Sequence, residues 1–404
     1  MRRTVAIAVS AACALRFAPL GIGAAEGSAP ESRAAEGSAL ESRAADGPLR
    51  VYVGTYTGGK SRGIYLLRLE RRTGKLTAPA LAAETEQTSF LALHPSGRFL
   101  YAVNEIGSFE GQDSGSVTAF AVDRETGALR EIGRKPTGGS APCHLCVDRA
   151  GKHVLVANYG GGSVCAYRIL DDGSLGERTA FSEHSGSSVN RRRQERPHAH
   201  SVNLDPANRF AFVADLGIDK IVVYRFDAAR GALEKDDSLE VRLDPGSGPR
   251  HFAFHPDGRH AYVINELAST VTAFSYDPAR GKLDRLTTIS TLPEGFTGET
   301  TTAEVRVSPN GELVFGSNRG HDSIAVFRVD PARGTLSFVR CVPSGGKTPR
   351  NFGVDPSGRW LVAANQATGN LVCFRIDAGA ADLKPAGAPV EVPNPVCVLF
   401  EPPE

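Results

Sequence analysis

DSIAVFRVDPARGTL, which runs from Asp322 to Leu336, is one of seven versions of the same pattern in this 404-residue chain. In each version an alternating apolar strand is followed by a turn and then by a leucine. The other six versions occupy residues 62–76, 115–129, 162–175, 219–233, 269–283 and 369–383. A strand-rich repeat of about fifty residues is typical of a propeller rather than a solenoid. The shared axis of a propeller, where its repeats converge, is the place to look for chemistry.

A second motif alternates with the first and consists of two strands joined by a tight turn. AFHPDGRHAYVINE, from Ala253 to Glu266, is one of six complete versions, and its Pro-Asp-Gly suits a hairpin. PNPVCVLFEPPE, from Pro393, contains only the first strand of this motif, whereas VYVGTY, from Val51, contains only the second. The chain end therefore supplies the inner strand of the last blade, and the chain start supplies its other three strands. We predict an all-β fold, a seven-bladed β-propeller of four-stranded antiparallel blades.

The composition excludes several classes of partner. A net charge of +1 gives no general attraction to nucleic acid or to a membrane surface. No apolar run reaches the length of about eighteen residues that would span a bilayer. Cys143 and Cys146 have C-x-x-C spacing, but side chains three positions apart on a strand point to opposite faces. We therefore predict neither a redox pair nor a zinc site at these cysteines.

The first fifty residues differ from the rest of the chain. MRRTVAIAVSAACALRF carries two arginines and a mainly apolar stretch, and small residues follow around Ala24, which predicts a signal peptide over residues 1–24. AAEGSAPESR and AAEGSALESR then repeat without aromatic residues, so residues 25–48 are predicted to be a disordered tether. The propeller is expected over residues 49–404. The protein is expected to be periplasmic or secreted, with a cytoplasmic location as the alternative.

Polar residues recur where the inner strands of the blades begin. Aligned by their turns, these strand starts contain His144, His198, His200, Arg250, His251, Glu304, Arg350 and Asn351. Ionisable side chains are rarely buried without partners. Here they recur at the same position, the start of the inner strand, in several blades. This pattern predicts a polar mouth around the axis.

A second ring of polar residues lies at the ends of the second strands. It comprises Asn104, Asn158, Asp215, Asn265, Asn318 and Asn365. Such residues often bond the local backbone at strand ends, which favours a structural role, although Asn158 is kept as a substrate-binding candidate. The residue directly after each of them varies from blade to blade, as expected of a position that contacts a substrate. These residues are Glu105, Tyr159, Leu216, Glu266, Arg319 and Gln366.

Four longer motifs resemble a known family. They are RPHAHSVNLDP from Arg196, GSGPRHFAFHPDGRHAYVINEL from Gly246, TAEVRVSPNGELVFGSNRG from Thr302 and TPRNFGVDPSGRWLVAANQ from Thr348. Together they are similar to the propeller-type lactonases, which include bacterial 6-phosphogluconolactonase and fungal carboxy-cis,cis-muconate cyclase. The resemblance covers the chain from Leu49 to Glu404. It implies a small-molecule lactone as the partner and no cofactor or metal; the number of subunits stays open, with a monomer favoured.

The resemblance also implies roles for individual residues. The muconate-cyclase members of the family use a His, two Arg and a Glu near the channel mouth, and by motif these fall on His200 (or His198), Arg250, Glu266 and Arg319. We expect His200 to act as general base, with Glu266 orienting it or acting as base itself. Arg250 and Arg319 would stabilise the oxyanion of an opening lactone. The expected substrate-binding residues are His144, Asn158, His198, His251, Glu304 and Arg350.

Several alternatives remain open from the sequence. The resemblance implies a lactonase of the 6-phosphogluconolactonase type, which hydrolyses a sugar lactone. The alternatives are a hydrolase or cyclase for another, unphosphorylated lactone, and a propeller that binds a protein partner. Zinc held by His144, His198, His200 and His251 is disfavoured, because no carboxylate spacing accompanies them. The loop from Gly176 to Arg196, with Arg191, Arg192 and Arg193, is predicted to be an exposed insertion whose charges are solvated.

Overall fold

The computed structural model describes residues 47–401 of the chain. The predicted signal peptide and all but the last two residues of the predicted tether therefore lie outside the described residues. Within residues 47–401, thirty strands form seven antiparallel sheets, and two three-residue 3-10 helices, Leu216–Ile218 and Asp237–Leu239, connect some of them. None of the helices in this range is long and apolar enough to cross a bilayer.

Each sheet is one blade, and the strands are named here in chain order. The chain begins with β1 (Leu49–Thr55), β2 (Gly63–Leu69) and β3 (Ala80–Glu84). Blade 1 contains β4 (Leu91–Leu93), β5 (Phe99–Asn104), β6 (Ser116–Val122) and β7 (Leu129–Pro136). Blade 2 contains β8 (Pro142–Val147), β9 (His153–Asn158), β10 (Ser163–Ile169) and β11 (Leu175–Glu183). Blade 3 contains β12 (Ala199–Leu204), β13 (Phe210–Asp215), β14 (Lys220–Asp227), β15 (Ala232–Lys235) and β16 (Val241–Arg242).

The remaining blades follow the same order from the axis outward. Blade 4 contains β17 (Pro249–Phe254), β18 (His260–Asn265), β19 (Thr270–Asp277) and β20 (Lys282–Ser290). Blade 5 contains β21 (Thr301–Val307), β22 (Leu313–Arg319), β23 (Ser323–Val329) and β24 (Leu336–Pro343). Blade 6 contains β25 (Pro349–Val354), β26 (Trp360–Asn365), β27 (Asn370–Asp377), β28 (Asp382–Pro385) and β29 (Val390–Glu391). Blade 7 combines β30 (Pro395–Phe400) with β1, β2 and β3.

Burial decreases from the second strand of each blade to its outermost strand. Every residue of β5 (FLYAVN) is buried, whereas β20 (KLDRLTTIS) is exposed at most of its positions. The second strands are apolar on both faces because each face packs against a neighbouring blade. One such cluster joins Tyr52 of blade 7, Leu100 of blade 1 and Val154 of blade 2. The core therefore consists of layers between blades, and the axis is left to polar side chains.

The closure of the ring is confirmed as predicted. β30 pairs with β1 in antiparallel register, with Val398 opposite Val53 and Phe400 opposite Val51. Blade 7 thus has its inner strand from the chain end and three strands from the chain start. The predicted seven blades of four antiparallel strands are also confirmed, except that the outer strands of blades 3 and 6 are each split into two short segments.

A β-bulge lies at the start of the inner strands of blades 2 to 7. In blade 2, Pro142 pairs with Asn158 and His144 pairs with Ala157, so that Cys143 is the extra residue. The pairings of the next blades shift at the same place. A bulge redirects a side chain locally and is frequent next to active sites. Here it places one extra residue of each of these strands at the mouth of the channel.

The contact between blades 7 and 1 yields a test of the closure. A Cβ at Gly54 of β1 would collide with the carbonyl oxygen of Thr88, just before β4, and lie 3.2 Å from the Cβ of Cys397. We predict that Gly54→Ala lowers the free energy of unfolding by about 1–3 kcal/mol, because overpacking must push the two blades apart. Guanidinium denaturation measures the change. Gly107→Ala is the control, since a Cβ at Gly107 meets no atom within 4 Å; equal midpoints for the two variants would contradict this packing.

Candidate active site

A polar cavity of about 240 Å³ opens at the mouth of the axial channel. It is lined by Glu105, Cys143, Tyr159, Arg193, His200, Glu266, Thr301, Arg319 and Arg350. A narrow extension shares four of these residues and is lined in addition by Ser89, Phe90, Arg250, His251, Asn351 and Val396. The volume lies somewhat below the usual range of small-molecule pockets, about 300–1,000 Å³, and thus suits one small ring rather than a polymer.

Two backbone positions, repeated from blade to blade, supply most of the lining. The bulge position contributes Cys143, His200, Arg250 and Arg350. The position after the second strand's terminal Asn contributes Glu105, Tyr159, Glu266 and Arg319. The four residues that resemblance implies to be catalytic are thus brought together at one mouth.

The terminal Asn ring is structural, as the sequence favours. Asn318 donates from Nδ2 to the carbonyl oxygen of Thr291 at 2.9 Å, and Asn104 accepts from the hydroxyl of Thr118 at 2.7 Å. Asn158 is fully buried, donates to the Ser163 hydroxyl at 3.0 Å and does not line the cavity. Of the predicted substrate-binding residues, Arg350 and His251 line the cavity or its extension, whereas Asn158, His144, His198 and Glu304 do not.

Glu266 is the centre of the charged cluster. Its Oε2 lies 3.0 Å from Arg250 Nε and 3.0 Å from Arg319 Nη2, and its Oε1 lies 2.6 Å from Arg193 Nη2. The carboxylate side chain is only 4% exposed. Burial would raise the pKa of this carboxyl, but Arg319, Arg250 and Arg193 together lower it to about 2. A carboxylate held this way is a weak base, which favours an orienting role for Glu266 over a role as the base itself.

The arginines around Glu266 are fixed by backbone carbonyl groups. Arg250 donates from Nη1 to Ala303 O at 2.6 Å, and Arg319 donates from Nη2 to Thr302 O at 2.7 Å. Burial lowers the pKa of Arg319 to about 10, so this side chain stays charged at neutral pH. Its buried Nε has no hydrogen-bond partner among residues 47–401. The Arg319 side chain is 15% exposed where it lines the cavity, so its guanidinium can donate to an oxygen of a bound molecule.

His200 lies beside this cluster as a neutral imidazole. Its Nε2 is 4.0 Å from Glu266 Oε2, and its Nδ1 is 3.6 Å from Cys143 Sγ. Burial, with the positive charge of Arg250 nearby, lowers the pKa of His200 well below its usual range. Burial also raises the pKa of the Cys143 thiol, so this sulfur is protonated and a poor nucleophile. His200 is therefore deprotonated near neutral pH and, as a residue that lines the cavity, can accept a proton there.

Arg350 belongs to a second polar network on the other side of the cavity. It donates from Nη2 to the Tyr56 hydroxyl at 2.8 Å, and that hydroxyl donates to Glu105 Oε2 at 2.8 Å. The guanidinium carbon also lies 5.2 Å from the centre of the Tyr56 ring. Tyr56 follows the last residue of β1, as Glu105 follows β5. The repeated strand-end position therefore orients an arginine as well as lining the pocket.

The remaining predicted histidines and Glu304 form a layer at the narrow end. His251 Nδ1 lies 3.0 Å from Glu304 Oε2, and Asn351 donates to the same oxygen. His144 packs at 5.3 Å from His251 and at 4.1 Å from Phe90, measured between ring centres. Burial would raise the pKa of Glu304, but Arg306 and His251 lower it. These side chains mainly bind one another and form the floor of the site.

His198 lies at the rim and supports Tyr159. Their rings stack at 4.4 Å with an interplanar angle of 17°, and His198 Nδ1 lies 3.0 Å from Tyr159 O. The rings of His144 and His200 each lie 5.3 Å from that of His251, but no three of the four histidines weighed for zinc bring their ring nitrogens within 4.8 Å of one another. Among the described residues, only His255, Asp257 and His260 form a group of three potential metal ligands within 4.8 Å.

Arg193 corrects the prediction for the loop that precedes β12. Residues 175–183 form β11, so the loop begins at His184, and Arg191 and Arg192 are exposed as expected. Arg193 instead reaches into the pocket, where it contacts Glu266 and lies 3.3 Å from the Tyr159 hydroxyl. The connection from an outer strand to the next inner strand runs over the mouth. Topology could therefore have marked this loop as a source of pocket residues.

The cluster around Glu266 predicts an acid-dependent stability. A carboxyl whose pKa is lower in the folded state stabilises the fold above its unfolded pKa and loses that contribution as the pH falls. We predict that Glu266→Gln costs about 3 kcal/mol near pH 7 and that the deficit shrinks as the pH falls from about 5 towards 2. Urea denaturation at a series of pH values measures it. Glu84→Gln, which breaks an exposed pair with Arg62, is the control; a pH-independent deficit for Glu266→Gln would contradict the assignment.

Comparisons with known proteins agree with this geometry. The chain matches the family described as "Lactonase, 7-bladed beta-propeller" over residues 50–400. The 6-phosphogluconolactonase of Bacillus subtilis is 38% identical over 349 residues, covering 86% of this chain and 97% of that protein. That of Formosa agariphila is 34% identical over 333 residues, covering 81% and 92%. The solved periplasmic gluconolactonase of Pseudomonas aeruginosa is 34% identical with a TM-score of 0.83, covering 89% of this chain and 100% of that one. The chain therefore belongs to the lactonase family of seven-bladed propellers, and its role is that of a lactonase.

Proposed function

We propose that this protein hydrolyses 6-phospho-D-glucono-1,5-lactone to 6-phosphogluconate at the cavity around Glu266. The observation that carries the proposal is the convergence of a neutral imidazole, His200, with arginines held at fixed positions by Glu266. The two relatives named 6-phosphogluconolactonase, at 38% and 34% identity, support the choice of substrate. The arginines lining the cavity outnumber its carboxylates, which suits an anionic lactone.

In the proposed reaction His200 acts as general base. It takes a proton from water while the water oxygen attacks the lactone carbonyl carbon, and a tetrahedral oxyanion forms. The guanidinium of Arg319, which lines the cavity and is 15% exposed, is suited to bind this oxyanion. The carbon–oxygen bond of the ring then breaks, and the leaving oxygen takes the proton back from His200. No net proton is left on the protein, and the product is the open-chain acid.

Glu266 acts in this scheme through its neighbours. Its carboxylate fixes the guanidinium groups of Arg250 and Arg319, so these donors need not reorganise when negative charge develops. Its Oε2 also lies 4.0 Å from His200 Nε2, where it would stabilise the imidazolium that forms during the reaction. Glu266 is therefore proposed as a positioning residue.

A second substrate, unphosphorylated D-glucono-1,5-lactone, is supported by the likeness to the periplasmic gluconolactonase. This substrate would fit an exported enzyme. For export we propose a signal peptide over residues 1–24, a tether over residues 25–48 and the enzyme domain over residues 49–404. Fractionation of cells into periplasm and cytoplasm, with N-terminal sequencing of the protein recovered from each, tests this. Recovery from the cytoplasmic fraction alone, with Met1 still present, would contradict export and leave the phosphorylated lactone as the substrate.

Removal of the imidazole tests the base. We predict that His200→Ala lowers kcat/KM for the lactone by about 10²–10⁴-fold, the usual contribution of a general base. Acid release in a pH-stat measures the rate, and thermal unfolding checks that the variant folds. His94→Gln is the control, because His94 bonds Ser96 and Gly151 O on the outside of the channel. A His200→Ala variant that folds and hydrolyses as fast as wild type would exclude His200 from the reaction.

The pH profile gives an independent test. A general base works in its deprotonated form, and the pKa of His200 lies well below its usual range because of burial and Arg250. We predict that kcat/KM stays level from about pH 8 to below about pH 6 and falls only in more acidic solution. Initial rates corrected for spontaneous hydrolysis measure the profile. A descending limb centred on the ordinary histidine pKa would show that the base lies in a different environment.

A further inference from the structure

The loop that carries Arg193, residues 184–198, is held in one conformation by its own buried residues. Gln194 is fully buried and donates from Nε2 to Leu216 O at 2.9 Å. Its Oε1 accepts from Asn190 N at 3.1 Å, and its backbone oxygen accepts from Ser188 N at 2.9 Å. The Ser188 hydroxyl in turn donates to Asp219 Oδ2 at 2.5 Å. The residue before Gln194 therefore has a fixed position at the rim.

Arg193 differs from the other arginines of the pocket in its exposure. Its side chain is 38% exposed, compared with 2% for Arg250 and 15% for Arg319. Its partners are one oxygen of Glu266 and the Tyr159 hydroxyl, and no backbone carbonyl fixes it as one fixes Arg250 and Arg319. It is thus the charged donor of the cluster that incoming substrate meets first.

We propose that Arg193 is a specificity-determining residue that binds the phosphate group of a phosphorylated lactone. The inference rests on the proposed function, since it assigns one part of that substrate to one side chain. A phosphate monoester carries about −1.5 to −2 charges at neutral pH and three acceptor oxygens, and the planar guanidinium fork matches it. Arg193 exchanges Glu266 Oε1 for the phosphate, while Glu266 Oε2 keeps Arg250 and Arg319 in place.

The exchange leaves the charge balance of the pocket intact. Glu266 retains two arginine partners on Oε2, so losing Arg193 does not leave it without a positive charge. The Tyr159 hydroxyl, 3.3 Å from Arg193, offers a further donor to the same phosphate. Arg193 makes these contacts in substrate and transition state alike, so it acts on KM more than on kcat.

The test compares two lactones and two neighbouring arginines. Wild type, Arg193→Gln and Arg192→Gln are assayed with 6-phospho-D-glucono-1,5-lactone and with D-glucono-1,5-lactone. We predict that Arg193→Gln lowers the ratio of kcat/KM for the phosphorylated over the unphosphorylated lactone by about 10- to 100-fold, mainly through KM. Arg192→Gln is the matched control on the same loop, because Arg192 is exposed, and it should leave the ratio unchanged.

A binding measurement separates this proposal from the proposed reaction. Isothermal titration calorimetry follows 6-phosphogluconate and gluconate binding to the same three proteins. If Arg193→Gln weakens the binding of 6-phosphogluconate but not that of gluconate, the phosphate contact is supported. This holds even if wild type hydrolyses neither lactone, since the lack of hydrolysis would overturn only the proposed function. An equal loss for both ligands, or no loss, would overturn the role of Arg193 while leaving any measured hydrolysis intact.

Discussion

The buried carboxylate of Glu266 is the interaction on which the pocket depends. Burying a guanidinium without a partner costs several kcal/mol, and Arg250 is almost completely buried. The geometry of a propeller brings these charged side chains together, because the inner strands begin at one end of the axis and their first side chains share one central hole. Placing one carboxylate between arginines from blades 4 and 5 and the loop before blade 3 makes this crowding stable. In the proposed reaction the same arrangement would supply rigid donors for the oxyanion, so one carboxylate would serve both stability and function.

The bulges at the inner strand starts explain how these side chains reach the axis. In a regular strand, successive side chains point to opposite faces of the sheet. A polar residue at the first position would then pack between two apolar blades. The extra residue breaks the alternation, so that His200 and Arg250 line the cavity while Val202 and Phe252, further along the same strands, remain in the core. One local irregularity, repeated from blade to blade, converts an apolar scaffold into a polar mouth.

The sequence predicts the fold almost completely and the site only in part. Seven copies of one pattern define the blades, and the incomplete motifs at Pro393 and Val51 show that the ends must pair. Arg193 was not predicted, because a run of three arginines in a polar loop gives no sign of which one turns inward. The burial of Gln194 fixes the conformation of the loop and so directs the neighbouring Arg193 into the pocket. Asn158, by contrast, does not line the cavity, and its amide nitrogen donates to Ser163, five residues away.

Blade 7 contributes no charge to the mouth, yet the site depends on it. Its bulge position holds Val396, an apolar residue at the level where blades 4 and 6 place Arg250 and Arg350. Asn351 Oδ1 accepts from Val398 N of β30 at 2.8 Å, and its amide donates to Glu304, which also binds His251. The strand that closes the ring is therefore bonded to the polar floor of the pocket. Because that floor packs against His200 through His251, with 5.3 Å between ring centres, a shift in the register of β30 would reach the proposed base.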